Sequence, residues 1–266
     1  MSQSLAHTDS TEYNLLVSRG LIPGVASVIQ IGRAPMGVQT TISDIWNRCD
    51  ATPTQQIWTQ PTVTRVHNIV STSASDAPAG VGALAVLVTG LTSWSTAESS
   101  EVVVLNGVVS VATVNSYVII HRMAAIAQAT TTNVGINAGI ITATAVIDVT
   151  ITAQIDASQA ITQMAIYGIP STKTFYVDNF AAYLNDSAAA ARVDVQFRIN
   201  FNPDVQRFGY ANGATLLVQN QGSSAIILDL SLTQPIPGPA IIKIQGIGSA
   251  ADLDLTAGFA GYLIDN

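Results

Sequence analysis

Residues 97–120, AESSEVVVLNGVVSVATVNSYVII, decide the fold, because they combine strand-forming residues with turn signals and little reactive chemistry. Valine and isoleucine are stiff at χ1 and favour extended backbone. We predict one strand over residues 101–105 and a second over 108–114, with the Asn-Gly pair between them forming a two-residue hairpin turn. A third strand is predicted over 117–123.

Short apolar segments separated by turns continue from this stretch to the C-terminus. We predict further strands in the segments 78–91, 139–155, 163–169, 174–184, 192–200, 214–220, 224–232, 240–247 and 254–264. No helical segments of 10–15 residues alternate with them, which disfavours a doubly wound α/β fold. Many short strands at regular spacing are typical of sandwiches and barrels.

The N-terminal region contains the best helical candidate. Ser10 or Thr11 could cap a short helix through EYNLLVSR, and Gly20 stands just past its end. A short turn is predicted at residues 43–47, SDIWN. The sequence therefore predicts an all-β protein with two jelly-roll-like β-sandwich domains and a short N-terminal helix.

A domain boundary is predicted in the uncharged segment 127–139, which is rich in Thr, Asn and Gly. Residues 1–130 would form an N-terminal β domain, and residues 131–266 a C-terminal jelly-roll-like sandwich. The same segment could instead be one long loop in a single β unit. The Pro-punctuated stretch around Trp58 is predicted to be an extended arm that clasps a neighbour by strand addition.

The composition favours an oligomer and argues against several classes of partner. Only 10% of the residues are charged and 48% are hydrophobic, whereas average chains carry about 25% charged residues. The net charge is −7, with two lysines and eight scattered arginines, so nucleic acid and anionic membranes are not expected partners. The apolar run 78–91 is too short to span a membrane, and we expect no signal peptide in MSQSLAHTDSTEYNLL.

Motifs for chemistry are weak in this chain. Residues 246–252, GIGSAAD, fit a dinucleotide fingerprint, but a strand-like segment follows where the fingerprint needs a helix, so we predict a β-turn. His7, His67 and His121 lack metal-ligand spacing and are predicted to be satisfied structural histidines. Cys49, the single cysteine, is predicted to be a small buried residue.

Acidic and aromatic residues leave two alternatives open. A calcium site could use Asp252 and Asp254, which would share one face of a strand; the alternative is that these carboxylates are solvated in turns. The further candidate carboxylates are Asp44, Asp50 and Asp265. The three tryptophans could line a sugar-binding surface or pack in a core or interface, and they are Trp46, Trp58 and Trp94.

Seven phrases in a fixed order resemble a family of structural proteins encoded by tailed bacteriophages, many of them marine. They lie at residues 18–35, 42–47, 71–91, 98–111, 136–144, 163–177 and 238–265. Each phrase is short, so their order and spacing carry the resemblance. The chain differs from the family pattern at two places. It has Leu84 where the family usually has an Arg, and it has NRCDATPTQQ at residues 47–56 where the family has a Gly-rich stretch after the tryptophan.

The resemblance implies a virion component without catalytic residues, cofactors or metals. We expect a capsid decoration (cement) protein on the outer surface of the particle, assembled in the host cytoplasm, because an acidic chain is repelled by packaged DNA. Its expected partners are sister copies, with a trimer favoured, and the major capsid protein or other virion proteins. A tail, baseplate or fibre-associated protein contacting host glycans is the alternative. A virion-borne glycan hydrolase is a third hypothesis, weakened by the presence of only three glutamates.

Overall fold

A computed structural model describes residues 10–49, 55–126, 136–185, 191–219, 226–229 and 235–266. These residues form one helix, seventeen strands and their connections. The elements in chain order are α1 (Ser10–Ser18), β1 (Val25–Val38), β2 (Ser43–Asp44), β3 (His67–Ser71), β4 (Ala85–Leu91), β5 (Ser99–Val104), β6 (Val111–Ala112), β7 (Ile119–Ile126), β8 (Ile141–Ala145), β9 (Ile151–Ile155), β10 (Ile166–Ile169), β11 (Lys173–Leu184), β12 (Arg192–Asn200), β13 (Ala211–Gln219), β14 (Ile226–Asp229), β15 (Pro235–Pro237), β16 (Ala240–Gly248) and β17 (Leu253–Asp265). The prediction of an all-β sandwich protein with a short N-terminal helix is confirmed.

The helix α1 ends where the sequence predicts. Gly20 has φ of +67°, a left-handed conformation that glycine adopts without steric cost. Its N–H donates to the Val17 carbonyl at 2.9 Å and closes the last turn. Val17 is buried, and the Tyr13 ring lies edge-on to the Tyr262 ring at 5.8 Å. The helix therefore covers one end of the sheet that contains β17.

Two five-stranded antiparallel sheets form the first sandwich. Sheet 1 has the order β1-β17-β11-β14, with β15 also beside β11, and sheet 2 has the order β10-β16-β12-β13, with β2 beside β16. Aromatic side chains fill the space between them. The Phe197 ring of sheet 2 lies 5.5 Å from Phe259 and 5.9 Å from Phe180, both in sheet 1. These edge-to-face and tilted contacts hold the two sheets face to face.

Two smaller antiparallel sheets lie between β2 and β10 in the sequence. Sheet 3 has the order β6-β3-β8-β9, and sheet 4 has the order β5-β4-β7. Alternate residues of β3 and β8 are buried, as expected for strands with one face on a core. Ile69 and Ile141 from sheet 3 belong to the same hydrophobic cluster as Val86 and Met123 from sheet 4.

Sheets 3 and 4 are therefore an insertion into the first sandwich. β1 and β2 pair with C-terminal strands β17 and β16, whereas β8, from the C-terminal half, pairs with β3. The predicted boundary between residues 130 and 131 lies outside the described residues, and that division stays a prediction. Sheets 1, 2 and 3 each combine strands that precede this boundary with strands that follow it.

The hairpin predicted in the opening stretch forms only at its turn. Gly107 has φ of +61°, and Asn106 forms an isolated bridge with Val109. The flanking strands do not pair with each other: β5 pairs with β4 in sheet 4, and β6 pairs with β3 in sheet 3. The chain therefore switches sheets at this turn, because β5 pairs with the strand directly before it, whereas β6 pairs with β3, which precedes both β4 and β5.

Two other segments differ from their predictions. The strand predicted over 139–155 is a hairpin of β8 and β9, and its turn holds Ile147 at φ +77° and Val149 at φ +55°, which is unusual for β-branched residues. The turn predicted at 43–47 is instead the short strand β2 followed by a bridge between Trp46 and Met164.

Contacts between β7, β10 and their neighbours join the inserted sheets to the first sandwich. The Ser171 N–H donates to the Trp94 carbonyl at 2.7 Å. Gly168 packs against Ile119 so closely that an added Cβ would lie 2.8 Å from that side chain. The His121 ring lies edge-on to Tyr167 at 4.3 Å.

Candidate functional site

The three tryptophans of the sequence all lie in the interior. The Trp58 indole N–H donates to the Thr152 carbonyl at 2.8 Å, and the Trp46 indole N–H donates to the Gln55 carbonyl at 3.2 Å. Burial leaves none of them to form a sugar-binding surface. The Trp58 side chain ties the Pro-punctuated segment to β9 of its own chain. The predicted clasp of a neighbour stays a prediction.

The carboxylates proposed for calcium are not brought together. Asp254 binds the Arg33 guanidinium at 2.9 Å, Asp252 accepts from the Gln39 amide at 2.9 Å, and Asp265 pairs with Lys173. Asp50 lies outside the described residues. Within the described ranges, no group of three His, Cys, Asp or Glu side chains is placed to hold a metal ion.

Two smaller predictions are confirmed. Cys49 is fully buried, with its Sγ 3.1 Å from the Gly37 carbonyl oxygen. Residues 249–252 form a bend between β16 and β17. Residues 246–248 of GIGSAAD end β16, and the bend at 249–252 leads to β17, a strand where a dinucleotide site needs a helix.

A buried ion pair that the sequence analysis did not predict lies on the face of sheet 2 that points away from sheet 1. The Lys243 ammonium binds Asp44 Oδ2 at 2.9 Å, and both side chains are buried. Asp44 also accepts from the Gln245 amide at 2.8 Å and from the Trp58 N–H at 2.7 Å. The Lys243 ammonium lies 4.1 Å from the centre of the Tyr210 ring. The network joins β2, β16 and the segment that carries Trp58.

A second buried carboxylate organises the loops of the inserted sheets. Asp76 is fully buried and accepts four hydrogen bonds. Its donors are the Ser71 hydroxyl at 2.5 Å, the Ala83 N–H at 2.8 Å, the Ala138 N–H at 2.8 Å and the Gly139 N–H at 2.9 Å. The carboxylate therefore fastens the 72–84 connection to the start of β8.

The two described histidines are buried and neutral. Burial lowers the pKa of His67 to about 4, against the opposing effects of the Arg65 carbonyl and Asp148, and burial lowers the pKa of His121 to about 3. His67 Nδ1 contacts the Arg65 carbonyl at 3.0 Å. Both ring nitrogens of His121 and Nε2 of His67 lack a partner among the described residues. The prediction of satisfied histidines is therefore wrong for His121 and holds for only one ring nitrogen of His67. His7 lies outside the described residues.

These pKa values predict a loss of stability in mild acid. The unfolded chain binds protons at its histidines below about pH 6.5, while folded His67 and His121 stay neutral. The free energy of unfolding therefore decreases as the pH is lowered. Each histidine should contribute about 2 kcal/mol of loss between about pH 6.5 and about pH 5. Urea unfolding at the two pH values measures this difference. His67→Gln should remove about half of it, and equal stability at both pH values would contradict the assignment.

The outer face of sheet 1 is apolar and largely uncovered beyond α1. Ile29 and Ile31 of the edge strand β1 are 67% and 56% exposed. They lie opposite Ala260 and Gly258 of β17, next to Ala181 of β11. These residues line a groove of about 280 Å³. We call this surface the sheet-1 face.

A second set of apolar side chains is exposed on sheet 4. Val102 and Val104 of the edge strand β5 are exposed, and Val102 lies directly opposite Leu87 of β4. Val108 and Val109 extend the exposed set beyond the end of the strand. Exposed apolar edge strands are an aggregation hazard unless a partner covers them.

Comparisons with known proteins do not place the chain in a family. No protein-family model matches the sequence, and a search of curated proteins yields no match. Among solved structures, the chain is similar to three from infectious bursal disease virus. These are the virus Gt strain (11% identity, TM-score 0.22, 95% of this chain and 78% of that chain), the Gx strain (13%, 0.24, 91% and 72%) and the VP2 subviral particle (10%, 0.20, 97% and 78%). Similarity this low does not establish a role.

The described residues therefore contain buried polar networks in the interior and exposed apolar side chains on two sheet surfaces. The buried carboxylates at Asp44 and Asp76 stabilise the fold, and the sheet-1 face offers a surface for association. Among these residues, no helix is long and apolar enough to cross a membrane.

Proposed function

We propose that this chain is a structural protein of a bacteriophage virion that decorates the outer surface of the capsid. The observation that carries the proposal is the sheet-1 face, where Ile29 and Ile31 are exposed beside small residues on two neighbouring strands. Large exposed apolar patches on soluble proteins mark interaction sites. A sister copy is the proposed occupant of this face, in a homotrimer that bridges major capsid subunits.

The sparse charge of the chain supports self-association. Only 10% of residues are charged, and a soluble monomer is best served by a surface that is about 25–35% charged. Burying the sheet-1 face between copies removes exposed apolar area from water, which contributes about 25 cal/mol per Å². An oligomer therefore explains how this composition remains soluble.

Rigidity supports a mechanical role. The four sheets are antiparallel throughout their pairings, and their buried carboxylates fasten loops that would otherwise move. A decoration protein that resists internal pressure needs such a body, since it has to transmit load without local unfolding.

Charge supports the outer surface of the particle over its interior. The net charge of −7 would be repelled by the phosphates of packaged DNA. The outer surface is also the side on which an acidic chain can be added to a filled capsid without this repulsion.

Light scattering with size-exclusion chromatography tests the association. We expect the full chain to be an oligomer at micromolar concentration, with a trimer favoured. Ile31→Lys combined with Ala181→Lys should yield a folded monomer, because two charges would then be buried in the interface. Val114→Lys is the control, since Val114 is 90% exposed and outside the sheet-1 face, and it should leave the oligomer intact.

A monomeric wild-type chain at micromolar concentration would contradict the proposal. Retention of the oligomer by the double variant would show that the sheet-1 face is not the contact.

A further inference from the structure

A cleft of about 600 Å³ separates the first sandwich from the inserted sheets. One wall is the edge of β1, residues 26–30, and the opposite wall contains Leu87 and Thr89 of β4. His121 of β7 and Tyr167 of β10 also line it. The volume lies within the range of about 300–1,000 Å³ for small-molecule sites.

A β-bulge places His121 at this cleft. The β4–β7 register pairs Thr89 with Arg122 and then Gly90 with Ile120, so His121 has no residue directly opposite. Bulges re-aim side chains and occur often beside functional sites.

The His121 side chain has unused hydrogen-bonding capacity. The residue is 1% exposed, and neither Nδ1 nor Nε2 has a partner among the described residues. Buried polar atoms in folded proteins are almost always hydrogen-bonded, and roomy polar cavities hold the missing partner. Because His121 is one of the residues that line the cleft, a polar ligand bound there could supply the missing partner.

Other polar groups of the cleft are close to one another. Glu98 Oε2 lies 3.5 Å from the Tyr167 hydroxyl, and the Thr89 and Ser100 hydroxyls lie 3.0 Å apart. Burial raises the pKa of Glu98. The Arg122 side chain adds guanidinium donors on the same side. The cleft thus offers both donors and acceptors, with apolar surface from Leu87 between them.

We propose that this cleft binds a neutral sugar unit. Sugar hydroxyls donate and accept at once, which matches a neutral imidazole with one donor and one acceptor nitrogen. The apolar wall at Leu87 suits the C–H face of a sugar ring. Glu98 offsets the charge of Arg122, and Asp265 offsets that of Lys173, so the lining has no unpaired positive charge to favour an anion. One carboxylate is too few for Ca²⁺, which takes six to eight oxygen ligands.

The charged groups around His121 are consistent with this chemistry. Glu98, Arg122 and Lys173 line the cleft, and Lys173 is already paired with Asp265. His121 stays neutral at pH 7 because burial lowers its pKa to about 3. Glu98 is the only carboxylate among the lining residues that the structure describes, so the site binds sugar without the carboxylate pair that hydrolysis uses.

The cleft and the sheet-1 face share one residue, Ile29, which lines both. Ile31 and Ala181, where association is tested, do not line the cleft. The variants at Ile31 and Ala181 therefore test association, and the variants at Glu98 and Leu87 test sugar binding.

Saturation-transfer NMR on the full chain tests the site. The probes are glucose, galactose, mannose and N-acetylglucosamine, with N-acetylneuraminic acid as the anionic comparison. We expect transfer to at least one neutral sugar and weaker transfer to the anionic one. Glu98→Gln should weaken the titrated affinity about tenfold, since it removes a charged hydrogen-bond acceptor.

Two further variants complete the experiment. Leu87→Trp fills the cleft from its exposed wall and should abolish the signal without touching the buried His121. Asp204→Asn removes the same charge in an exposed loop and should leave binding unchanged. The proposal is overturned if no neutral sugar shows transfer, if the anionic sugar binds more tightly, or if Glu98→Gln and Leu87→Trp bind like the wild type. Occupation of the cleft by a strand of a second copy, seen as oligomer loss in Leu87→Trp, would also overturn it.

Discussion

Replacing Asp44 with alanine should lower the free energy of unfolding by about 3–5 kcal/mol, the usual cost of removing one partner of a buried ion pair. The change leaves the Lys243 ammonium without its carboxylate, which lies 2.9 Å away in the wild type. It also removes the acceptor of the Trp58 N–H and the Gln245 amide. Urea unfolding followed by tryptophan fluorescence measures the difference, because Trp58 lies in the same network.

Two variants separate the cost of the charge from other effects. Asp44→Asn with Lys243→Met removes both charges and should be more stable than Asp44→Ala, because no uncompensated ion remains in the interior. Asp265→Asn breaks the partly exposed pair with Lys173 and should cost at most about 1 kcal/mol. An Asp44→Ala protein within about 1 kcal/mol of the wild type would show that the pair is not a structural anchor.

Asp76→Ala should be comparably destabilising for a different reason. The carboxylate accepts four hydrogen bonds in a fully buried site. Each buried donor left without an acceptor costs about 1–3 kcal/mol, so we expect a loss of at least about 4 kcal/mol. Hydrogen exchange should quicken first at Ala83 and Gly139, whose amides lose their acceptor.

The controls for Asp76 address charge and volume. Asp204→Ala removes an exposed carboxylate and should change stability by no more than about 0.5 kcal/mol. Asp76→Asn keeps the size but brings amide hydrogens toward donors, so it should also destabilise the protein. Unchanged exchange at Ala83 and Gly139 in Asp76→Ala would refute the fastening role of this carboxylate.

The sequence predicts the type of fold because strand formation here is a local property. β-Branched residues, turn signals and the Gly20 stop signal act within a few positions, so α1 and most strands lie where the pattern indicates. Alternation of buried and exposed positions in β3 and β8 is equally local.

Strand pairing and sheet membership could not be predicted in the same way. The Asn106–Gly107 turn signal correctly predicts a turn, yet β5 and β6 separate into different sheets. β5 pairs with the preceding strand β4, and β6 pairs with the more distant β3. The long-range pairing of β6 overrides the local hairpin signal.

One half of the buried ion pair could have been predicted from the sequence. Lys243, one of only two lysines, stands within the apolar run AIIKIQGI, and a lysine buried in such a run requires a partner. Nothing local indicates that the partner is Asp44, which is 199 positions away. Asp76 lies in a polar loop. Its role as a hydrogen-bond acceptor depends on the N–H groups of residues 138 and 139, which approach it only in the folded chain.

The cleft could not be predicted at all, because elements from the first sandwich and from the inserted sheets build it. Its walls combine β1 with β4, and His121 reaches it only through a bulge in the β4–β7 register. A one-residue register shift leaves no signature in a strand as apolar as β7.

The number of copies in the proposed particle would separate decoration from the tail-associated alternative. A decoration protein is present in many copies over the capsid, whereas a tail or baseplate component is present in few. Quantitative mass spectrometry of purified particles would measure this ratio against the major capsid protein.

Cryo-electron microscopy of the proposed virion is the most direct test of the structural role. We predict density for the four-sheet body on the outer capsid surface, with the sheet-1 face buried against a sister copy. Density on the DNA-facing side, or isolated copies with Ile29 and Ile31 exposed to solvent, would contradict the proposal.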